Sequence, residues 1–174
     1  MSYEVGLGCE NYTIAVYIEN RPPLYEYQTL ENITPVITSE INAIGQQCGN
    51  GWRKVFNVYA KLLYALDKEQ FVFTKLAPTW QVYRDNFLLQ TNSATALLFS
   101  APLARPNDKA IHLIIGRTYA KKLVNAKQLE CELTWLDEEF AINYQQRLIV
   151  CPYFDYRQLS NIKIERLAQL MKGF

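Results

Sequence analysis

Three apolar runs in this sequence are each followed at once by polar side chains, and those side chains are where chemistry could be done. Thr13-Ile14-Ala15-Val16-Tyr17-Ile18 gives way to Glu19, Asn20 and Arg21. Ala110-Ile111-His112-Leu113-Ile114-Ile115 gives way to Gly116, Arg117 and Thr118, and Arg147-Leu148-Ile149-Val150-Cys151 to Tyr153, Asp155, Arg157 and Asn161. A glycine between strand and helix can turn first-turn amides toward an anion, with Arg117 adding charge. The plain alternative is a tight turn and nothing more. Tyr153-Phe154-Asp155-Tyr156-Arg157-Gln158 interleaves three aromatics with an acid and a base. Such a segment stacks on a planar ligand or a nucleobase, or its rings anchor the loop on the core. Gln158, Ser160 and Asn161 complete the rim.

Other chemistry is sparse. His112, the single histidine, sits inside a buried strand pattern, which suits a hydrogen-bonded core residue better than a catalyst. Cys9, Cys48, Cys131 and Cys151 are scattered with no CxxC pair, which argues for reduced thiols and against a structural zinc site. P-loop, Gly-x-Ser-x-Gly, His-Glu-x-x-His and Rossmann glycine patterns are missing. No motif names a reaction, and no cofactor or metal is expected.

Composition bounds the rest. The 174 residues are 49% hydrophobic, with twenty-three aromatics and eighteen basic against seventeen acidic side chains. That length suits one domain over 1–174, the apolar fraction excludes intrinsic disorder, and the near-zero net charge excludes a general phosphate-coating protein. The balance hides a split: 105–127 holds six bases and one acid, whereas 128–140 holds five acids and no base. The basic stretch reads either as a solvated face or as a phosphate contact. No run approaches the ~20 apolar residues of a membrane span. Met1-Ser2-Tyr3-Glu4-Val5-Gly6 lacks the basic patch and apolar run of a secretory signal, so a cytoplasmic protein without membrane contact is expected.

These side chains need a scaffold, and the hydrophobic pattern supplies one. Strands are predicted over 13–18, 94–100, 110–115 and 147–151, with an antiparallel excursion over 129–142 that turns at Asp137-Glu138-Glu139. A loop spans 101–108. Helices are predicted from Thr34-Pro35 through Ile37, Ile41 and Ile44, over 52–66 with Asn50 as cap, from Arg117-Thr118, and over 160–172. Between 68 and 92 the pattern suggests a short helix near Phe71–Leu76 and a hairpin over Trp80–Gln90. Strand–helix alternation with continuous apolar strands predicts an α/β fold, a three-layer sandwich with a short, largely parallel central sheet and an antiparallel excursion.

The order of these pieces resembles the uracil-DNA glycosylase superfamily over 13–23 and 94–171. Glu19-Asn20-Arg21-Pro22-Pro23 stands in the place of that family's first catalytic loop, which carries a polar or acidic residue near a proline. Leu113-Ile114-Ile115-Gly116-Arg117-Thr118-Tyr119-Ala120 resembles its third strand and turn, and Arg147–Cys151 with 152–161 its last strand and DNA-inserting loop. The resemblance implies a parallel sheet between helices, with Glu19 or Asn20 positioning a water. The family's closing loop usually carries a histidine-proline-serine type motif where this chain has Cys151-Pro152-Tyr153. The resemblance therefore implies the fold and leaves the activity open.

Three functions are consistent with these readings. The first is an α/β domain binding a nucleotide or nucleic acid at the strand-end loops without catalysis. The others are a glycosylase-like enzyme acting on DNA bases and a protein-interaction module presenting exposed aromatics. The oligomeric state is not written in the sequence. A strand-end site requires Asn20, Gly116 and Tyr153 to line one pocket. If they lie far apart, the site and the resemblance fail together.

Overall fold

A computed structural model describes residues 3–103, 105 and 107–174. Met1, Ser2 and, within the predicted 101–108 loop, Ala104 and Pro106 lie outside the described residues. The strands are β1 (Gly6–Gly8), β2 (Ile14–Tyr17), β3 (Ile33–Thr34), β4 (Thr95–Leu98), β5 (Ile111–Ile115), β6 (Thr134–Trp135), β7 (Ala141–Asn143) and β8 (Leu148–Cys151). They form one sheet in the order β3-β1-β4-β2-β5-β8-β7-β6. The four central strands, β4-β2-β5-β8, are mutually parallel. The predicted excursion is present: β7 adds antiparallel to β8, and β6 antiparallel to β7.

The helices are α1 (Tyr25–Gln28), α2 (Glu40–Cys48), α3 (Asn50–Ala65), α4 (Trp80–Asn86), α5 (Arg117–Asn125) and α6 (Asn161–Lys172). Side chains alternate across β2: Ile14, Val16 and Ile18 join the core formed with α2, α3, α4 and α6, whereas Ala15 and Tyr17 join the one formed with α5. Both faces of the central strands are covered, which is why they read as unbroken apolar runs. Tyr59 of α3, fully buried, donates its hydroxyl to the Ala96 carbonyl of β4 at 2.9 Å, tying helix to sheet.

Several expected elements differ. Thr34 belongs to β3 rather than to a helix cap, and α2 starts only after Ser39, whose φ of 77° turns the chain. Ile37 is thereby left 71% exposed, off the apolar stripe that Ile41 and Ile44 keep. The cap of α3 is Gly49, and Asn50 is its first residue. The expected hairpin over 80–90 is a helix. Thr79 caps it by accepting the Val82 amide at 3.2 Å, and Tyr83 turns wholly into the core beside Phe73 and Phe87. Trp80, Tyr83 and Phe87 are spaced for a helix, and burial of that face outweighs their strand propensity. The short 71–76 element is a 3-10 turn over Phe73–Lys75.

Two short strands escape the hydrophobic pattern altogether. Strand β1, Gly6-Leu7-Gly8, runs antiparallel to β4 at such close quarters that a Cβ on Gly8 would meet the Thr95 carbonyl oxygen at 2.2 Å. Glycine is required there, and glycine carries no strand signal.

Candidate functional site

The chain leaves β2 toward the face carrying α2 and α3 and leaves β5 toward the face carrying α5. Neighbouring parallel strands whose connections depart to opposite faces leave a crevice at their carboxyl ends. A cleft of about 530 Å³ occupies that place, lined by Glu19 and Asn20 after β2, Gly116 to Tyr119 after β5, and Pro152, Tyr153 and Gln158 after β8. Asn20, Gly116 and Tyr153 thus meet, as a strand-end site requires. Glu138 and Glu139 close the remaining side. Because β7 runs antiparallel to β8, the turn that leads into it lies at the carboxyl end of the parallel strands.

The glycine turn is open. Gly116 adopts φ 106° and ψ 123°, donates its own amide to the Cys151 carbonyl at 2.8 Å, and faces no heavy atom within 4 Å of where a Cβ would stand. The amides of Arg117, Thr118 and Tyr119 open α5 and have no acceptor within the helix. Tyr119 is only 9% exposed, lines the cleft, and has no hydrogen-bond partner for its hydroxyl among the described residues. Burial first, then the nearby Glu19 carboxylate, pushes its pKa up to about 12, so it holds its proton.

Charge around the cleft is mostly paired. Lys122 donates to Glu19 at 2.7 Å and Lys163 to Glu139 at 2.7 Å. Arg117 reaches the Glu138 carbonyl at 3.3 Å, and Arg166 pairs with Asp137. Lys121 lies over the Trp135 ring at 5.5 Å. The acids Asp137 and Glu139 are thus paired by bases of α6, whereas Arg117 and Lys121 of α5 reach only the Glu138 carbonyl and the Trp135 ring.

Five expected rim residues stand outside the cleft, Ser160 among them as the cap of α6. Arg21 donates to the carbonyls of Tyr27, Gln28 and Leu30 and lies over Phe99, fastening the chain after β2. Arg157 holds Asp155 through Nη2 at 2.9 Å and Nε at 3.3 Å, and Lys54 adds a bond to Asp155 at 3.3 Å. The Arg157 bond above all, then Lys54, keeps the Asp155 carboxyl well below the ordinary carboxylate range. Asn161 is exposed at the start of α6. The aromatic segment divides: Phe154 is fully buried against Tyr59, Tyr156 lies 57% exposed beneath Lys54, and Tyr153 alone lines the cleft. Tyr119, Glu138 and Glu139 join the cleft unpredicted, since Tyr119 reads as core and the acids as a hairpin tip.

His112 is tied into the fold on the α5 face. Its Nε2 faces Asp108 Oδ2 at 2.7 Å and its Nδ1 faces the Tyr17 hydroxyl at 2.8 Å. With Asp108 ionised, Nε2 carries the proton and Nδ1 accepts from Tyr17. Tyr17 is wholly buried, whereas Asp108 and His112 line another cleft, of about 420 Å³, together with Arg105, Gln145 and Gln146. The four cysteines are free thiols. Among the described residues no group of three or more His, Cys, Asp or Glu side chains is placed to hold a metal, and no helix is long and apolar enough to cross a membrane.

No curated protein and no solved structure matches the chain. One family model matches it over residues 5–172, which takes in every strand, every helix and the whole cleft, and the chain belongs to that family, described as a family of unknown function (DUF6942).

Proposed function

We propose that this protein binds a small ligand bearing a nucleobase, a nucleotide before a nucleic acid, in the cleft at the ends of β2, β5 and β8. The observation that carries this reading is that three loops from separate parts of the chain converge on one cleft at the sheet's switch point. Tyr153 offers a ring for stacking, and Asn20 and Gln158 offer amides that match the donors and acceptors of a base edge. A polynucleotide is disfavoured by the Glu138 carboxylate on the rim and by the pairing of Lys122 with Glu19. The test is equilibrium binding of nucleosides and nucleoside monophosphates to the wild type and to an Asn20→Ala/Tyr153→Leu variant. Binding that the double variant loses supports the reading; binding that it retains unchanged, or no binding at all, removes it.

A second reading is a glycosylase-like enzyme acting on DNA bases, with Glu19 or Asn20 positioning the attacking water. It is favoured by the meeting, in one cleft, of the loops after the first and last parallel strands. Incubation with uracil-containing single and double strands decides it, since abasic product supports it and none across several damaged bases discards it.

A further inference from the structure

The opening turn of α5 holds donors with nothing to donate to, and it does so at the wall of the cleft. Three first-turn amides end in the cleft beside a glycine turn with free space before it. Tyr119, more than nine-tenths buried, lines the same cleft, and its hydroxyl has no partner among the described residues. The hydroxyl itself stays open to the cleft, so it can donate to an arriving acceptor without breaking a bond in the fold. The helix dipole makes that arrival an anion.

We propose that the opening turn of α5, with the Tyr119 hydroxyl and the Arg117 guanidinium, is a subsite for a phosphomonoester. This rests on the cleft being a ligand site, and it names the group that would be seated there. Three amides, a phenol and a guanidinium suit a group with several acceptor oxygens. Two of the three acids lining the cleft are already engaged, Glu19 by Lys122 and Glu139 by Lys163. A terminal phosphate fits better than a diester because a strand continuing across the cleft would run on to the Glu138 carboxylate. Free phosphate, a sugar phosphate and a nucleotide share this chemistry.

The experiment is a titration of the 15N-labelled full chain at constant ionic strength, reading backbone amide shifts. The probes are inorganic phosphate, a hexose 6-phosphate, a nucleoside, its 5′-monophosphate and a short single-stranded oligonucleotide. Each phosphomonoester is expected to move the amides of Gly116, Arg117, Thr118 and Tyr119. Tyr119→Phe, which keeps the ring, should weaken phosphate binding about tenfold and leave the nucleoside unaffected. Inorganic phosphate that leaves those amides still, or that binds Tyr119→Phe as it binds the wild type, overturns the subsite. So does an oligonucleotide that matches the monoester per phosphate. Phosphate shifts at 116–119 without nucleoside shifts at Asn20 and Tyr153 uphold the subsite and remove the nucleobase reading. The reverse pattern removes the subsite alone.

Discussion

Lys122 of α5 donates to the carboxylate of Glu19 across 2.7 Å, joining the first residue after the β2 run to the helix that follows β5. The two residues lie 103 positions apart in the chain. Both side chains reach solvent, so the pair adds little to stability. Its weight is local, because it neutralises an acid on the wall of the cleft.

Glu19→Gln should therefore change folding stability by less than about 1 kcal/mol and raise the affinity for an anionic ligand. Lys122→Met should lower that affinity at similar stability. Urea midpoints and phosphate titrations of both variants check this, and an affinity that moves the same way in both would contradict it.

The aromatic run 153–156 should separate by burial. Phe154→Ala empties a filled site against Tyr59 and is expected to cost about 3–5 kcal/mol. Tyr156→Ala loses an exposed contact with Lys54 and should cost no more than about 1 kcal/mol. Chemical unfolding of the two variants shows whether the ranking holds.

His112 makes stability depend on pH. Burial lowers its pKa, Arg105 lowers it further, and the opposing pull of Asp108 and then Glu4 does not cancel this. Tyr17 and Tyr12 also face the ring, the first through a hydrogen bond and the second edge-on at 5.9 Å. The unfolded chain takes up this proton near pH 6.5, and the folded chain only at lower pH. Between those values unfolding binds a proton, so stability is full above about 6.5 and falls as the pH drops through the window. Asp137 acts in a separate, more acidic window: Arg166 first, then the Glu139 amide, holds its carboxyl at about 2. Urea unfolding at pH 7.5 and pH 5 should show a loss in the wild type that His112→Gln reduces. A wild type more stable at pH 5 than at pH 7.5 would contradict the assignment.

The central strands were legible because burial on both faces demands unbroken apolar runs, and the helix over 50–65 because Trp52, Val55, Phe56, Tyr59, Leu62 and Leu63 keep one stripe. The rim was half legible. Residues directly after a parallel strand must lie at its carboxyl end, which placed Asn20, Gly116 and Tyr153 together. Which of their neighbours turn inward is set by contacts far along the chain. Arg21 is drawn to the carbonyls at 27–30, and Asp155 and Arg157 to each other. Strand β1 and helix α4 were hidden for opposite reasons, one by glycines required for close approach and the other by aromatics that suit either secondary structure.

The central claim, a ligand cleft at the strand ends, is tested most directly by comparing two arginines that the sequence places alike and the structure separates. Arg117 lines the cleft, and Arg157 is bound to Asp155 outside it. Calorimetric titration of a nucleoside monophosphate at low and high salt should give salt-sensitive binding that Arg117→Ala weakens about tenfold and Arg157→Ala leaves as in the wild type. Equal losses in both variants, or binding that neither changes, would contradict the account.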